Sequence, residues 1–397
     1  MSVSAYRPCL VVYVIWHPDF EKGKDFANYI YSLLTRDVRE PISRGIGIPV
    51  FFRSIPFSTD KVPPEIHLDH AQRSAIVVLV DDNMVNSAPW NVYVENLWQQ
   101  TRGIDSPHRL YPASVTPNAT NLTGDVSRAQ FIRLYQRPEN EMAAYLDCIL
   151  THELCRLLLN RKRISAITKE DFSPAPVKLF VSHAKRDGLK IAEALCDYIG
   201  RELPLKTFFD ATDIAVSYAF DEEIYAHMQD GALLAILTDA YGSREWCRRE
   251  ILAAKKIKIP IVVLNAVASG EERSFPYLGN VPTIRWNSDS IQPEASSSRK
   301  NIEATIHLML YEVLRRTYWL HNFEDLCNLS LIPSSAKCLI RPPELLDLLG
   351  CSEDTTQSRS TYFVYPDPPL GESEAKLLES FFPGLKLSTP IFLEGRK

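Results

Sequence analysis

Ala232-Leu-Leu-Ala-Ile-Leu-Thr238, followed closely by Ser243-Arg-Glu-Trp-Cys-Arg-Arg-Glu250-Ile-Leu-Ala-Ala-Lys-Lys-Ile257, decides the fold class. The first run is short, continuous and apolar, which suits a strand buried on both faces of a sheet. The second has helical spacing. Ser243 reads as its N-cap, Glu245 falls in its first turn, and Lys255 and Lys256 fall in its last, where the helix dipole favours each sign. At about 100° per residue, Trp246, Cys247, Glu250, Ala253, Ala254 and Ile257 share one face, while Arg248, Arg249 and Leu252 point elsewhere. Glu250 therefore sits in the middle of an apolar stripe. A carboxylate there loses hydration, and its charge is costly unless something pairs with it.

Outward from this stretch the same alternation of strand and helix repeats. Upstream lie a strand at Val177–Ser182, a loop at His183–Gly188, a helix at Leu189–Gly200, a strand at Leu205–Phe209 and a helix at Phe220–Gln229. Downstream come strands at Ile259–Asn265 and Thr283–Trp286 and a long helix at Asn301–Tyr318. The first part of the chain follows the same plan. Its strands are read at Cys9–Trp16, Ile48–Phe52, Ser74–Val80, Arg109–Ser114 and Gln130–Leu134. Its helices are read at Lys24–Thr35, Pro63–His70 (short), Ala88–Gln100 and Glu139–Asn160. Such alternation implies parallel sheets covered by helices on both faces. Arg161–Pro176 is polar and carries two prolines, so it reads as a linker.

The two parts also align with each other, and internal repeats are best sought before finer detail. Trp16-His-Pro-Asp-Phe parallels Ser182-His-Ala-Lys-Arg. Pro49-Val-Phe-Phe parallels Lys206-Thr-Phe-Phe. Ala75-Ile-Val-Val-Leu-Val parallels Ala232-Leu-Leu-Ala-Ile-Leu, and Asn86-Ser-Ala-Pro-Trp90 parallels Gly242-Ser-Arg-Glu-Trp246. Their shared order carries the argument. The division expected is residues 1–165, 175–320 and 321–397. In the last of these, Ile340–Leu349 looks helical and Cys351–Ser360 looks like a spacer. Thr361–Tyr365 is a strand, Pro366–Gly371 a turn, Glu372–Phe382 a helix, and Pro383–Leu393 a returning strand. One such βαβ unit is too small to bury a core alone, so it is expected to dock on a larger domain or a partner.

Composition narrows the function. The 397 residues are 45% hydrophobic and 23% charged, as in ordinary globular proteins. Net charge is −5 with no long basic run, which gives no support to nucleic-acid binding. The eight cysteines are scattered without a CxxC pair, so neither a metal site nor a disulfide framework is indicated, and a reduced, cytoplasmic setting is expected. Met1–Pro8 lacks a signal-peptide pattern, and no apolar run approaches a membrane span. Asn118-Ala-Thr and Asn121-Leu-Thr match the glycosylation sequon, which without a secretory route reads as chance.

Leu179-Phe-Val-Ser-His183, Asp187, Phe208-Phe-Asp210, Asp213-Ile214, Phe220-Asp-Glu-Glu-Ile224 and Ser243–Glu250 together resemble a Toll/interleukin-receptor (TIR) domain over about Ala175–Tyr318. The resemblance implies a flavodoxin-like α/β fold whose working surface lies at the carboxyl ends of the strands. It implies one of two activities. Some such domains are protein-interaction adaptors. Others cleave the nicotinamide–ribose bond of NAD+ using a Glu on the helix after the third strand, and Glu250, four residues after Trp246, matches that Glu. In prokaryotic antiviral immunity such enzymes stay silent until a protein or small-molecule trigger assembles them through TIR self-association. NAD+ is then the substrate, with no separate cofactor and no metal.

By the same resemblance, the loop Ser182–Asp187, together with Phe180 at the end of its strand, lines the nicotinamide side. Asp213–Phe220, with Ile214 and Ser217, matches a mobile gating loop. That loop departs from the pattern, having Val216-Ser217 where a Pro-Gly pair is usual. Each residue also has a plainer role. Phe180 and Ser182 could simply end a strand, and Asp187 could belong to an ordinary loop. Asp210 reads as a solvated turn residue, and Trp246 and Cys247 as packing residues. His183 reads either as a stacking partner for a base or as an exposed loop histidine.

In the first part, the residue four after Trp90 is Val94, and Glu95 lies about 100° further round the helix. Residues Cys9–Asn160 therefore read as a degenerate, regulatory copy. A non-enzymatic scaffold recruiting partners through Asp213–Phe220 is the competing reading.

Overall fold

The computed structural model describes residues 6–37, 39, 45–56, 61–103, 106–159, 176–203, 206–209, 228, 231–270, 275–286, 296–348 and 361–394. They form two compact units, the first ending at Val177 and the second beginning at Lys178. The expected linker before Pro176, the Phe220–Gln229 helix apart from Met228, and the Cys351–Ser360 spacer lie outside the described residues.

In the first unit, β1 (Val11–Trp16), β2 (Val50–Arg53), β3 (Ser74–Val80), β4 (His108–Ser114) and β5 (Ile132–Arg133) make one sheet in the order β2-β1-β3-β4-β5. Every pairing is parallel. The helices are α1 (Gly23–Leu34), α2 (Asp82–Val85), α3 (Ala88–Thr101) and α4 (Glu139–Leu159). The two central strands are buried along their whole length, as their unbroken apolar sequences require. Residues alternate between the two faces of a strand. Val11, Tyr13 and Ile15, with Ile76, Val78 and Val80, meet Trp90, Val94 and Leu97 of α3 in one cluster. Gly23 opens α1 where a Cβ would lie 2.1 Å from the Trp16 ring, so only glycine lets the helix start so close to β1. The short helix expected at Pro63–His70 is reduced to a 3-10 turn at Leu68–His70.

The second unit repeats the strand order. Its strands are β6 (Lys178–His183), β7 (Lys206–Phe209), β8 (Gly231–Leu237), β9 (Ile261–Asn265) and β10 (Thr283–Arg285), ordered β7-β6-β8-β9-β10 and all parallel. This is the flavodoxin-like order, in which the chain reverses direction across the sheet between its first and third strands. Helix α5 (Leu189–Glu202) follows β6, α6 (Glu245–Lys256) follows β8, and α7 (Ser296–Asn328) follows β10. Phe180, Leu233, Ala235, Ile261 and Val263 meet Cys247, Ile251 and Ala254 of α6 in one apolar cluster. The fold class is therefore α/β with parallel sheets, as the sequence implies.

Helix α7 runs ten residues beyond the expected Tyr318 end, because buried Trp319 and half-buried Phe323 and Leu326 keep one face apolar and packed. Those side chains pack against the last segment, a three-stranded parallel sheet of β11 (Lys337–Cys338), β12 (Tyr362–Val364) and β13 (Lys386–Ser388) in the order β11-β12-β13. Helices α8 (Leu345–Leu348), α9 (Glu372–Phe381) and α10 (Pro390–Glu394) accompany it. The returning strand expected at Pro383–Leu393 is in fact short β13 followed by α10. Proline at 390 cannot donate to a ladder but suits the first turn of a helix. The Trp319 indole donates to the Leu339 carbonyl at 2.7 Å. A buried ion pair, Lys255 Nζ to Glu344 Oε2 at 2.6 Å, ties the segment to α6.

Candidate active site

The strand order reverses between β6 and β8, and ligands of open parallel sheets bind outside the carboxyl ends of the strands at that reversal. Three polar side chains converge there, each on a different element. Ser182 comes from the last turn of β6, on the same face as Phe180. Tyr241 comes from the 3-10 turn Tyr241–Ser243 that follows β8. Glu250 comes from the sheet-facing side of α6. They are 1%, 0% and 5% exposed, so no bulk water compensates their polar atoms. The Ser182 hydroxyl donates to Glu250 Oε2 at 2.5 Å. Ser182 Oγ and the Tyr241 hydroxyl oxygen lie 2.7 Å apart. The carboxylate in the apolar stripe is thus paired, as burial demands.

Burial pushes the Tyr241 phenol well above its ordinary range, with the neighbouring Cys247 and Glu250 adding to the effect. Burial likewise pushes the Cys247 thiol up to about 12, reinforced by the Glu250 charge. Cys247 is therefore a neutral thiol at physiological pH, and its Sγ–H donates to the His183 carbonyl at 3.5 Å. A protonated thiol is a poor nucleophile.

Two further carboxylates lace the loops around it. Asp187, in the loop after β6, accepts from the Thr238 hydroxyl at 2.7 Å and from the Ala240 N–H at 2.9 Å. It thereby fixes the β6 loop to the residues just before Tyr241. Asp239 accepts from the N–H groups of Ala268 at 2.9 Å, Ser269 at 3.0 Å and Gly270 at 3.3 Å. Those backbone bonds hold its carboxyl below the usual range. Loops after β6, β8 and β9 are thus joined in series at the carboxyl edge of the sheet.

Of the residues the sequence singles out, Ser182 and Glu250 come together here. Asp187 sits beside them as a brace between loops. Phe180 is a core residue, packed with Leu233, Tyr241 and Cys247. His183 is not the exposed loop histidine that one reading expects. It is the last residue of β6, paired with Ile236, and only 8% exposed. Trp246 is not a packing residue on the apolar face. It is 51% exposed, in the first turn of α6, with the Arg249 guanidinium 5.0 Å from its ring centre. Ser243 is not the N-cap of α6. Arg244 holds that position, and the Ser243 hydroxyl donates back to the Ala240 carbonyl at 2.8 Å. Asp210, Ile214 and Ser217 lie outside the described residues.

The residue that sequence reasoning misses is Tyr241. It lies in the seven-residue connection between β8 and α6, residues 238–244, where no periodic pattern marks a buried side chain. No group of three or more His, Cys, Asp or Glu side chains among the described residues could hold a metal ion. Among those residues no helix is long and apolar enough to cross a membrane.

The first unit fills the matching places differently. Ile15 pairs with Val78 of β3 as Ser182 pairs with Ala235 of β8, so the strand register makes Ile15, rather than Trp16, the counterpart of Ser182. Ile15 and Val94 are both fully buried in the apolar cluster of that unit. Glu95 turns away from the sheet. Its Oε2 accepts from the Val126 N–H at 3.0 Å, its Oε1 accepts from Gln99, and it reaches over Gly124. Gly124 has φ +101°, and a Cβ there would strike the Glu95 carboxylate.

Residues 179–296 match the family model of the TIR domain. The second unit carries a TIR domain, and the sheet order agrees with it. No curated protein matches the sequence. Among solved structures, one described as a tagatose-6-phosphate ketose/aldose isomerase of Clostridium novyi NT aligns with 79% of this chain and 80% of its own, at 11% identity. Its TM-score of 0.20 is too low to carry any argument.

Proposed function

We propose that the second unit cleaves the N-glycosidic bond between nicotinamide and ribose in NAD+. The observation that carries this reading is Glu250, a buried carboxylate hydrogen-bonded to Ser182 at the switch point of the sheet within the residues that match the TIR family model; by the resemblance it corresponds to the essential Glu of NAD-cleaving members. Breaking the bond builds positive charge on the ribose ring in an oxocarbenium-like transition state. A carboxylate fixed on a rigid helix and shielded from water stabilises that charge with little reorganisation. The departing nicotinamide is neutral, so it needs no general acid. Water at the anomeric carbon gives ADP-ribose and a proton, while a hydroxyl of the adenosine part gives a cyclic ADP-ribose-type product.

We read the first unit as a regulatory copy, because Ile15 and Val94 leave it no polar pair to do this work. The setting that fits is an effector or signal synthase of prokaryotic antiviral defence, silent until a trigger drives TIR self-association. A second reading, a scaffold without catalysis, draws support from the exposed Trp246 with its stacked Arg249, a pair suited to a protein contact. Purified full-length chain incubated with NAD+, with nicotinamide and both ADP-ribose products resolved by mass, tests the first reading. Release of nicotinamide by the wild type and none by Glu250→Ala supports it. Equal release by both sinks it.

A further inference from the structure

We infer that Tyr241 is a positioning residue for Glu250, acting through Ser182, so that the carboxylate is referenced to the sheet and to the turn after β8 and not to its own helix alone. This rests on the reading of Glu250 given above. A serine hydroxyl has one proton to give and lone pairs to receive with. Ser182 gives its proton to Glu250 Oε2. The contact between Ser182 and Tyr241 therefore runs the other way, with the Tyr241 O–H donating to Ser182 Oγ across 2.7 Å. With Glu250 ionised, the chain reads Tyr241 O–H to Ser182 O–H to carboxylate.

Geometry holds that direction. Tyr241 and Ser182 are at most 1% exposed, and water is not available to replace either donor. The backbone beside Tyr241 is pinned by Asp187, which accepts from Thr238 and Ala240 on the same short connection. Phe180 and Cys247 pack with the tyrosine ring in one cluster, which fixes where its hydroxyl points. Among the described residues, Tyr241 from the turn and Cys247 from α6 face the carboxylate, with Arg244 at the start of that helix acting on Cys247, and the phenol and the thiol both stay protonated through the physiological range. Neither competes as an acceptor in charged form. Donors lined up in series polarise one another, so losing the outer one weakens the inner one.

The test compares Tyr241→Phe, Ser182→Ala and the double variant in the full-length chain acting on NAD+, with thermal melts to establish folding. Loss of one ordinary hydrogen bond costs up to about 10-fold. The expected result for Tyr241→Phe is a fall of that size in kcat with little change in KM, and an acid limb of the pH–rate profile moved to higher pH. Ser182→Ala falls further, and the double variant is no worse than Ser182→Ala, because the two act in series. A second readout does not need turnover. The carboxylate stretch of Glu250, isolated by subtracting the Glu250→Gln spectrum from that of 13C-Glu-labelled protein, shifts in Tyr241→Phe. If the wild type cleaves NAD+, Glu250→Gln does not, and Tyr241→Phe matches the wild type in kcat and pH profile, the positioning role is wrong while the enzyme reading survives. If the purified wild type cleaves nothing, as a chain awaiting its trigger would, the infrared band decides alone, an unshifted band overturning the inference. Should Tyr241→Phe not fold, Ser182→Ala carries both readouts, and an unmoved band and wild-type kcat there overturn it equally.

Discussion

At the scale of single residues, the molecule turns on a carboxylate kept where carboxylates are expensive. Glu250 was legible in the sequence because helical spacing put it among alanines and a cysteine. Its partners were not, since Ser182 lies 68 residues away and Tyr241 shows no periodic signal. The neighbouring thiol reads in sequence as a packing residue, and Cys247 is one, 3% exposed in the apolar cluster. With its proton held up to about 12, Cys247 acts as a small apolar residue that donates to a carbonyl. Cys247→Ala should therefore keep kcat for NAD+ within the same order of magnitude in a protein that still melts cooperatively, and a loss as complete as that of Glu250→Ala would contradict this assignment.

Asp239 gives a prediction about pH. A carboxyl held below its ordinary value in the folded chain contributes order that is present above the unfolded value and lost as pH falls through the folded one. Amide exchange at Ala268, Ser269 and Gly270 should be slow at neutral pH. It should rise as the solution is acidified through the low carboxylate range, once intrinsic exchange is divided out, and be fast throughout in Asp239→Asn. Protection that ignores both pH and substitution would show that other contacts hold the loop.

At the scale of elements, α6 is fixed from two sides. Glu250 is tied to β6, and one turn later Lys255, 4% exposed, reaches Glu344 beside α8 and the Gly279 carbonyl at 3.3 Å. Glu344 also receives Arg341 at 3.1 Å, and Arg341 lies 3.6 Å from Asp347. Sequence reasoning reads Lys255 as a complement to the helix dipole, because a partner 89 residues on leaves no local trace. It misplaces the N-cap for a related reason. Ser243 is the best capping residue by type, yet the backbone is still in a 3-10 turn there and its hydroxyl is spent on Ala240. Breaking a buried pair strands a charge, so Glu344→Ala should cost about 3–5 kcal/mol in urea unfolding. Lys255→Met with Glu344→Leu should recover most of that, since no charge is left unpaired on α6. A Glu344→Ala loss below the range of surface pairs would mean that Lys255 finds water or another acceptor.

At the scale of the whole molecule, two sheets share one strand order, and unbroken apolar strands alternating with amphipathic helices made that legible. Register was less so. Trp16 and Ser182 look equivalent by the residues around them, but strand pairing shifts the match by one, to Ile15. Alternating faces make one residue the difference between facing α3 and facing away from it. The last segment was least legible, because β11 has two residues and finds its place only against β12 and the far end of α7. The measurement that tests the account most directly is the NAD+ pool of cells expressing the full-length chain, with metabolites resolved by mass, for the wild type, Glu250→Ala and Glu95→Ala. The account predicts that the wild type and Glu95→Ala both deplete NAD+ and release nicotinamide, because Glu95 only secures the turn at Val126, while Glu250→Ala leaves the pool intact at equal expression. An intact pool with the wild type, or depletion that persists in Glu250→Ala, would contradict it.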